Sequence, residues 1–173
     1  LLDRAIAEGV NYIDTAYPYH NGESEPFVGK VLSKYDRDSF FLASKLPLWA
    51  VETLDDAKRI FAEQLERLRT DHIDFYLLHA LNRKRFEERV KKFSLIERME
   101  EARKQGKIKF IGFSFHDTLD VFEDILQFIR VFSELFFQFV HRFRISVFER
   151  AVCLCIHLVD ILLYFRTDGD VFV

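Results

Sequence analysis

This chain of 173 residues is poor in cysteine, proline and glycine, with two, three and six of them. Two cysteines are too few for the disulfide framework of a small secreted domain, which favours a reducing compartment such as the cytoplasm. Because the chain is also 49% hydrophobic and 31% charged, collagen-like and disordered proteins are excluded. The composition is that of a globular protein with its own core.

An excess of positive charge and a long apolar run are also absent. The formal net charge is −3, from 25 Lys and Arg against 28 Asp and Glu, so no nucleic-acid or anionic-membrane partner is expected. The most apolar stretch, 151–165, contains His157 and Asp160. That stretch falls short of the roughly 18 apolar residues of a membrane-spanning helix.

The composition changes near residue 127. Residues 128–173 contain nine of the 20 phenylalanines and no lysine, whereas residues 1–127 contain ten lysines and ten arginines. We therefore predict two parts, an α/β domain at 1–127 and an atypical tail at 128–173 with the composition of a divergent or frame-shifted end. Within the tail, residues 137–147 alternate like a strand that could fold back over the sheet. Cys153 and Cys155 are interpreted as ordinary buried thiols.

Strand and helix patterns alternate along the first part. Apolar runs bounded by turn residues predict four strands, at 10–14, 39–44, 73–78 and 108–113. A long helix is predicted at 86–104, and Thr53 with Asp56 resembles the capping box of another. Helices between successive strands are the crossovers that a parallel sheet requires. An open doubly wound sheet and part of a (β/α)8 barrel both fit this pattern.

Polar side chains follow each predicted strand. In chain order they are Asp14, Tyr17, Tyr19 and His20, then Lys45, then His79, then Ser114, His116 and Asp117. Reactive groups of βα folds lie at the carboxyl ends of the strands. These side chains are therefore expected to lie together at that end of the sheet, which is called the rim below. Each alone has an ordinary structural explanation, but their joint occurrence on four successive strands indicates a site.

An Asp, a Tyr, a Lys and a His on one rim fit the chemistry of carbonyl reduction. The positive charge of the Lys would stabilise a phenolate on the Tyr, and the Asp would hold that lysine by an ion pair. The His would orient a substrate oxygen by a hydrogen bond. The Tyr would then act as the general acid toward a carbonyl oxygen.

Two other functions are compatible with the same rim. A metal-dependent barrel hydrolase would use His20, His79, His116 and Asp14 as ligands, although such a site has no need of a Lys beside a Tyr. A non-catalytic remnant or a regulatory barrel would retain the rim without turnover, and the change of composition near residue 127 is compatible with this.

Four segments resemble the aldo-keto reductase family, in its bacterial branch. They are 9–19 (GVNYIDTAYPY), 43–46 (ASKL), 74–79 (DFYLLH) and 106–114 (GKIKFIGFS). The resemblance implies a (β/α)8 barrel that reduces an aldehyde or ketone to an alcohol with NADPH or NADH. It implies Asp14, Tyr19, Lys45 and His79 as the catalytic residues, with Tyr19 as the proton donor.

The resemblance also predicts the cofactor contacts and which part of the barrel this chain contains. It implies cofactor contacts from Asp14, Ser114 and His116, with Phe115 standing where the family has Asn. It covers residues 1–127, so we expect about four βα units, with the first strand and the later units of the barrel missing. A truncated form with impaired or no activity, and with weak or no binding of dinucleotide, is the corresponding expectation.

Overall fold

The computed structural model describes residues 1–132 and 163–164, with side chains as far as residue 129. The helices are α1 (Leu2–Ala7), α2 (Ser24–Leu32), α3 (Leu54–Leu68), α4 (Arg83–Arg85, continued by a π-helical segment Phe86–Lys91), α5 (Leu95–Lys104) and α6 (Leu119–Phe132). The strands are β1 (Tyr12–Asp14), β2 (Phe41–Leu46), β3 (Ile73–Leu81), β4 (Ile108–Phe115) and β5 (Leu163–Tyr164). Short 3-10 turns occupy Tyr19–Gly22, Arg37–Ser39 and Leu48–Ala50.

The order of the strands decides between the two predicted architectures. They form one sheet in the order β1-β2-β3-β4-β5, and the first four are parallel. A doubly wound sheet reverses its strand order at a switch point, whereas each barrel strand is added beside the previous one. The four parallel strands therefore form a segment of a barrel wall. β5 pairs antiparallel with β4, Tyr164 opposite Gly112.

Strand boundaries differ from the prediction in all four predicted strands. β1 begins at Tyr12 rather than at residue 10, because the Val10 N–H still donates to the Ala5 carbonyl oxygen of α1 at 3.0 Å. β2 begins at Phe41 because Asp36 starts a 3-10 turn in which its side chain accepts the Asp38 N–H at 3.1 Å. β3 and β4 extend to Leu81 and Phe115, which pair with each other beyond an irregularity in the ladder. Lys45, His79 and Ser114 are consequently residues of the strands, where the sequence pattern placed them at or just beyond the strand ends.

The prediction of one continuous helix at 86–104 is wrong. The chain breaks at Ser94, whose backbone is left-handed with φ 50°, and α5 begins only at Leu95. Val90 and Leu95 are both buried, but a helix turns by about 100° per residue, so five residues would place them on different faces. The break allows both side chains to reach the core.

Helices α2 and α3 pack closely on each other beside β2. The capping box predicted at Thr53 and Asp56 is present at the start of α3. A Cβ added to Gly29 of α2 would lie 2.3 Å from the Arg67 carbonyl oxygen of α3, so only glycine permits this approach. The close contact brings polar side chains from the two helices together behind β2.

A network of buried polar groups occupies that space. The Glu25 Oε1 atom accepts hydrogen bonds from Ser44 Oγ at 2.6 Å and from Gln64 Nε2 at 2.7 Å. Gln64 Nε2 also donates to the Lys45 carbonyl oxygen at 3.1 Å, and its Oε1 accepts the Tyr76 hydroxyl at 2.6 Å. The network therefore ties α2, α3 and β3 to the backbone of Lys45.

Burial raises the pKa of two groups in this network. It raises the pKa of the Glu25 carboxyl above its usual 4.5, because burial outweighs the hydrogen bonds from Ser44 and Gln64 and the nearby Arg67 guanidinium. Burial, with a smaller effect of Glu25, also raises the pKa of the Tyr76 hydroxyl well above its usual 10. The tyrosine consequently stays a hydrogen-bond donor to Gln64.

A second buried carboxylate, Asp74, connects strands β2, β3 and β4 near their amino ends. Its Oδ2 accepts hydrogen bonds from Arg37 Nη2 at 2.5 Å and from the Leu42 N–H at 2.9 Å, and Lys109 Nζ lies 2.8 Å from Oδ1. Burial raises the pKa of Asp74, but these partners together hold it below its usual 3.8. Asp74 is therefore ionised at neutral pH.

Two further expectations concern helices and the tail. No helix in the described part of the chain is long and apolar enough to cross a membrane. The predicted strand-like alternation at 137–147 and the two thiols, Cys153 and Cys155, lie outside the described residues. The division of the chain at residue 127 stays a prediction.

Replacing Asp74 by Asn is expected to lower the free energy of unfolding by about 2–4 kcal/mol at pH 7, because two cations lose a buried counter-charge. The folded-state pKa is depressed, so this contribution is present above pH 3.8 and is lost as the pH falls through the lower native value. Urea unfolding at pH 7 and pH 3 measures it. Asp38→Asn, an exposed change, is the control; equal losses in both variants would contradict the prediction.

Replacing Glu25 by Gln is expected to change the pH dependence of stability. Because its folded-state pKa is raised, the native protein loses stability as the pH rises above 4.5 and through the native value. The amide side chain of the variant retains an acceptor for Ser44 and Gln64 but does not titrate. The free energy of unfolding of the variant, relative to the parent, should therefore rise between pH 4.5 and pH 8. Exposed Glu66→Gln, measured over the same pH range, is the control; a flat Glu25→Gln difference would contradict the prediction.

Candidate functional site

The ammonium group of Lys45 is the centre of the site. Its side chain is 1% exposed, and Nζ donates to Asp14 Oδ1 at 2.5 Å, to the Thr15 carbonyl oxygen at 3.1 Å and to the Tyr19 hydroxyl at 3.2 Å. Three acceptors match the three donors of an ammonium group. A buried charge is tolerated only when it is paired and hydrogen-bonded in this way.

Strand register and a tight turn position these partners. Asp14 ends β1, which pairs with β2 so that Asp14 lies opposite Ala43, two residues before Lys45. The chain then turns back, and the Tyr19 N–H donates to the Ala16 carbonyl oxygen at 3.1 Å. His20 and Asn21 follow with left-handed φ values of 51° and 56°. This turn places the Tyr19 hydroxyl over the lysine.

His79 lies beside Tyr19. The two rings meet edge to face, with centroids 5.8 Å apart and an interplanar angle of 77°. His79 is 8% exposed, whereas the Asp14 side chain is 30% exposed. The structure thus brings Asp14, Tyr19, Lys45 and His79 together. The site that they form is closed to solvent around the lysine and more open at Asp14. Their catalytic roles stay predictions.

A bulge at Ala80 shapes the end of β3, and the sequence pattern gave no signal of it. Ala80 has a left-handed φ of 51°, and the pairing with β4 shifts between Leu78 and Leu81. Its N–H donates to Ser114 Oγ at 2.7 Å, and its carbonyl oxygen accepts from Arg85 Nη1 at 2.5 Å. Bulges of this kind re-aim neighbouring side chains, here the adjacent His79.

The predicted cofactor contacts occupy different environments. Ser114 is fully buried, and its oxygen accepts the Ala80 N–H, which leaves its hydroxyl hydrogen to bind another acceptor. His116 is exposed at the end of β4, where its N–H donates to the Leu81 carbonyl oxygen at 2.9 Å. Both lie at the same end of the sheet as Lys45 and His79. Their contact with a cofactor stays a prediction.

The geometry gives no support to a metal centre. Among the described residues, no three His, Cys, Asp or Glu side chains come together in a way that could hold a metal ion. This applies to His20, His79, His116 and Asp14, the ligand set of the hydrolase hypothesis. The arrangement around Lys45 instead provides a hydroxyl that can give up a proton beside a buried positive charge.

Two side chains complete the rim. Trp49, in the turn after β2, is 45% exposed and has its ring 5.0 Å from that of His79. Arg85 lies against Trp49, with its guanidinium carbon 5.4 Å from the centre of the indole ring. Because Trp49 follows closely after Lys45 in the sequence, its place on the rim could be predicted. Arg85, which follows His79 by six positions within a basic run, carried no such signal.

Comparison with known proteins agrees with this geometry. The model of the Aldo/keto reductase family matches residues 1–136. A methylglyoxal reductase of Escherichia coli, YeaE, is 38% identical over 124 residues, which are 70% of this chain and 40% of that protein. The aldo-keto reductase YhdN of Bacillus subtilis is 37% identical over 118 residues, covering 64% of this chain and 34% of that protein.

Solved structures show the same relation. The thermostable aldo-keto reductase Tm1743, solved with the inhibitor epalrestat, superimposes with a TM-score of 0.56 at 34% identity, over 65% of this chain and 39% of that one. An aldo-keto reductase of Klebsiella pneumoniae, solved with NADPH, superimposes with a TM-score of 0.54 at 33% identity, over 65% and 37%.

These matches establish the extent of the likeness. The chain spans about two fifths of the length of the relatives it matches. Within that span, the prediction of part of a (β/α)8 barrel is confirmed. The match of the family model over residues 1–136 shows that this chain belongs to the aldo/keto reductase family.

Proposed function

We propose that the described residues carry the carbonyl-reducing site of an NAD(P)H-dependent aldo-keto reductase, with Tyr19 as the proton donor. The observation that carries this proposal is the position of Lys45 Nζ, 2.5 Å from Asp14 Oδ1 and 3.2 Å from the Tyr19 hydroxyl. The activity of the whole protein is part of the proposal, since the chain spans about two fifths of its relatives.

Lys45 stabilises the charge that develops on Tyr19. When the hydroxyl gives its proton to the oxygen of a carbonyl substrate, a phenolate remains, and the ammonium group beside it is already in place. Because Lys45 is 1% exposed, water screens this attraction less than it would at the surface. No reorganisation is needed at the moment of transfer, which is the condition for effective electrostatic catalysis.

Asp14 and His79 position the reacting groups. Asp14 balances the lysine charge and fixes the direction of Nζ, so that one of its hydrogens points to Tyr19. His79, edge to face with the Tyr19 ring, borders the same opening, where its imidazole can donate to the substrate oxygen. Two donors aimed at one oxygen orient the carbonyl for reduction.

A nicotinamide cofactor fits the donors present at this rim. When bound, it supplies the hydride that reduces the carbonyl carbon. Ser114, with a hydroxyl hydrogen left after accepting the Ala80 N–H, would hold the carboxamide, together with His116 and Asp14. The Klebsiella pneumoniae relative solved with NADPH supports NADPH as the first cofactor to test.

Small reactive aldehydes are the first substrates to test. Relatives include a methylglyoxal reductase of Escherichia coli and a glyoxal reductase of Bacillus subtilis. We include both dicarbonyl compounds in the proposed substrate class. Small aldehydes of this kind need few contacts beyond the proton donor and the orienting histidine.

Replacing Tyr19 by Phe is expected to lower kcat/KM for NADPH-dependent reduction of methylglyoxal by about 100-fold or more, because the proton donor is lost. The affinity for NADPH, measured by fluorescence of Trp49, the single tryptophan, should change little. Tyr17→Phe is the matched control: the Tyr17 hydroxyl donates to Glu63 at 2.9 Å, and its removal should leave kcat/KM within about twofold.

Three results would contradict the proposal. They are the absence of NADPH-dependent reduction by the parent chain, equal losses in the two tyrosine variants, and full activity of Tyr19→Phe. The first result is the one that the expectation of a truncated form with impaired or no activity predicts, so the same assay decides between that expectation and the proposal. Activity that disappears on chelation would favour the metal-dependent alternative instead. Activity unchanged by a chelator is the expected result.

A further inference from the structure

The rim beside His79 carries a positive charge that the proposed reduction does not use. Arg85 Nη1 donates to the Ala80 carbonyl oxygen at 2.5 Å. The Arg85 N–H is in turn held by the Asn82 side-chain oxygen at 2.9 Å. Backbone and side chain are therefore both anchored, and the guanidinium is held next to the residue that follows His79.

Arg85 has no acidic counterpart in the described part of the chain. Its neighbour Arg83 pairs with Asp124, and Lys91, on the next turns, pairs with Glu87 at 2.8 Å. The described partners of the Arg85 guanidinium are one carbonyl oxygen and the face of Trp49. A guanidinium has five N–H donors in a planar fork, so most of them remain to bind an anion.

Trp49 connects this charge to the reacting groups. Its ring centre lies 5.4 Å from the Arg85 guanidinium carbon and 5.0 Å from the His79 ring centre. The guanidinium therefore lies at most about 10 Å from the histidine. The indole is 45% exposed and neighbours both the charge and the histidine, so a short carbon chain could pack on it.

We infer that Arg85 and Trp49 form an anion-binding subsite, which selects carbonyl substrates with a carboxylate or phosphate about three to five bonds from the carbonyl carbon. The planar fork of Arg85 matches both anions in two-point geometry, and Trp49 packs against the connecting carbons. This inference rests on the proposed function, because it assigns the substrate class of the same site.

Paired aldehydes test the subsite by turnover. Succinic semialdehyde carries a carboxylate and butanal is its neutral counterpart; glyceraldehyde 3-phosphate and glyceraldehyde form the phosphate pair. For the preferred anion, kcat/KM should exceed that of the neutral partner by about tenfold or more. Arg85→Gln should reduce this ratio by about tenfold or more, chiefly through KM, because an arginine contact to an anion is worth at least that much.

Two further variants separate anion binding from support of the bulge. Arg85→Lys keeps the charge but not the fork, so it should restore part of the ratio. Arg89→Gln removes a positive charge from the same helical segment, where Arg89 Nη1 donates only to the Glu88 carbonyl oxygen among described residues at 3.2 Å. It should leave the ratio unchanged. A ratio that Arg85→Gln does not alter, with equal losses for both aldehydes, would overturn the inference.

A binding measurement decides the inference independently of turnover. Succinate and glycerol 3-phosphate are titrated into the chain without cofactor while the fluorescence of Trp49 is followed, with succinamide as the neutral control. Saturable quenching by either anion, lost in Arg85→Gln and weakened by salt, is expected. No saturable quenching by either anion would overturn the subsite, even if the reduction itself were observed. Quenching without reduction would support the subsite and count against the proposed function.

Discussion

The buried ammonium group of Lys45 is the constraint on which the arrangement of the rim depends. Moving an ammonium ion out of water costs several kcal/mol unless it is paired and fully hydrogen-bonded. Asp14, the Thr15 carbonyl oxygen and Tyr19 supply that pairing. The position of β1 beside β2 and the turn back to Tyr19 are both needed to satisfy this one charge. The same contacts place a hydroxyl next to a fixed positive charge, which is what proton donation to a carbonyl requires.

Side-chain alternation along β2 separates two polar systems. Ser44 and Lys45 are consecutive, so their side chains point to opposite faces of the sheet. Ser44 joins Glu25 and Gln64 beneath the helices, while Lys45 faces the rim. Gln64 also binds the Lys45 carbonyl oxygen. The buried network therefore fixes the backbone of the residue whose side chain carries the charge, and stability and site geometry are linked through one strand.

The end of β3 is organised by a single unusual residue. Ala80 takes a left-handed conformation, at a cost of order 1–3 kcal/mol for a residue with a side chain. Ser114 binds its N–H and Arg85 its carbonyl oxygen, so both backbone groups of the bulge are satisfied. One distortion thus connects β4, the segment after β3 and His79. The hydrogen bond from Arg85 to the Ala80 carbonyl oxygen supports the bulge and also holds the positive charge of Arg85 at the rim.

The sequence by itself determined the four parallel strands, their order along the chain and the polar residues near the strand ends, among which the family resemblance singled out Asp14, Tyr19, Lys45 and His79. Apolar runs and polar residues near strand ends are local patterns, and local patterns can be read without a structure. Tertiary structure alone decided the break at Ser94 and the bulge at Ala80, because both follow from fitting side chains into the core and from the pairing of strands. It also decided the pairing of Glu25 with Gln64, 39 residues apart, since that contact exists only when α2 and α3 pack together. Arg85 belongs with these, because nothing within a basic run distinguishes the one arginine that the fold turns toward the site.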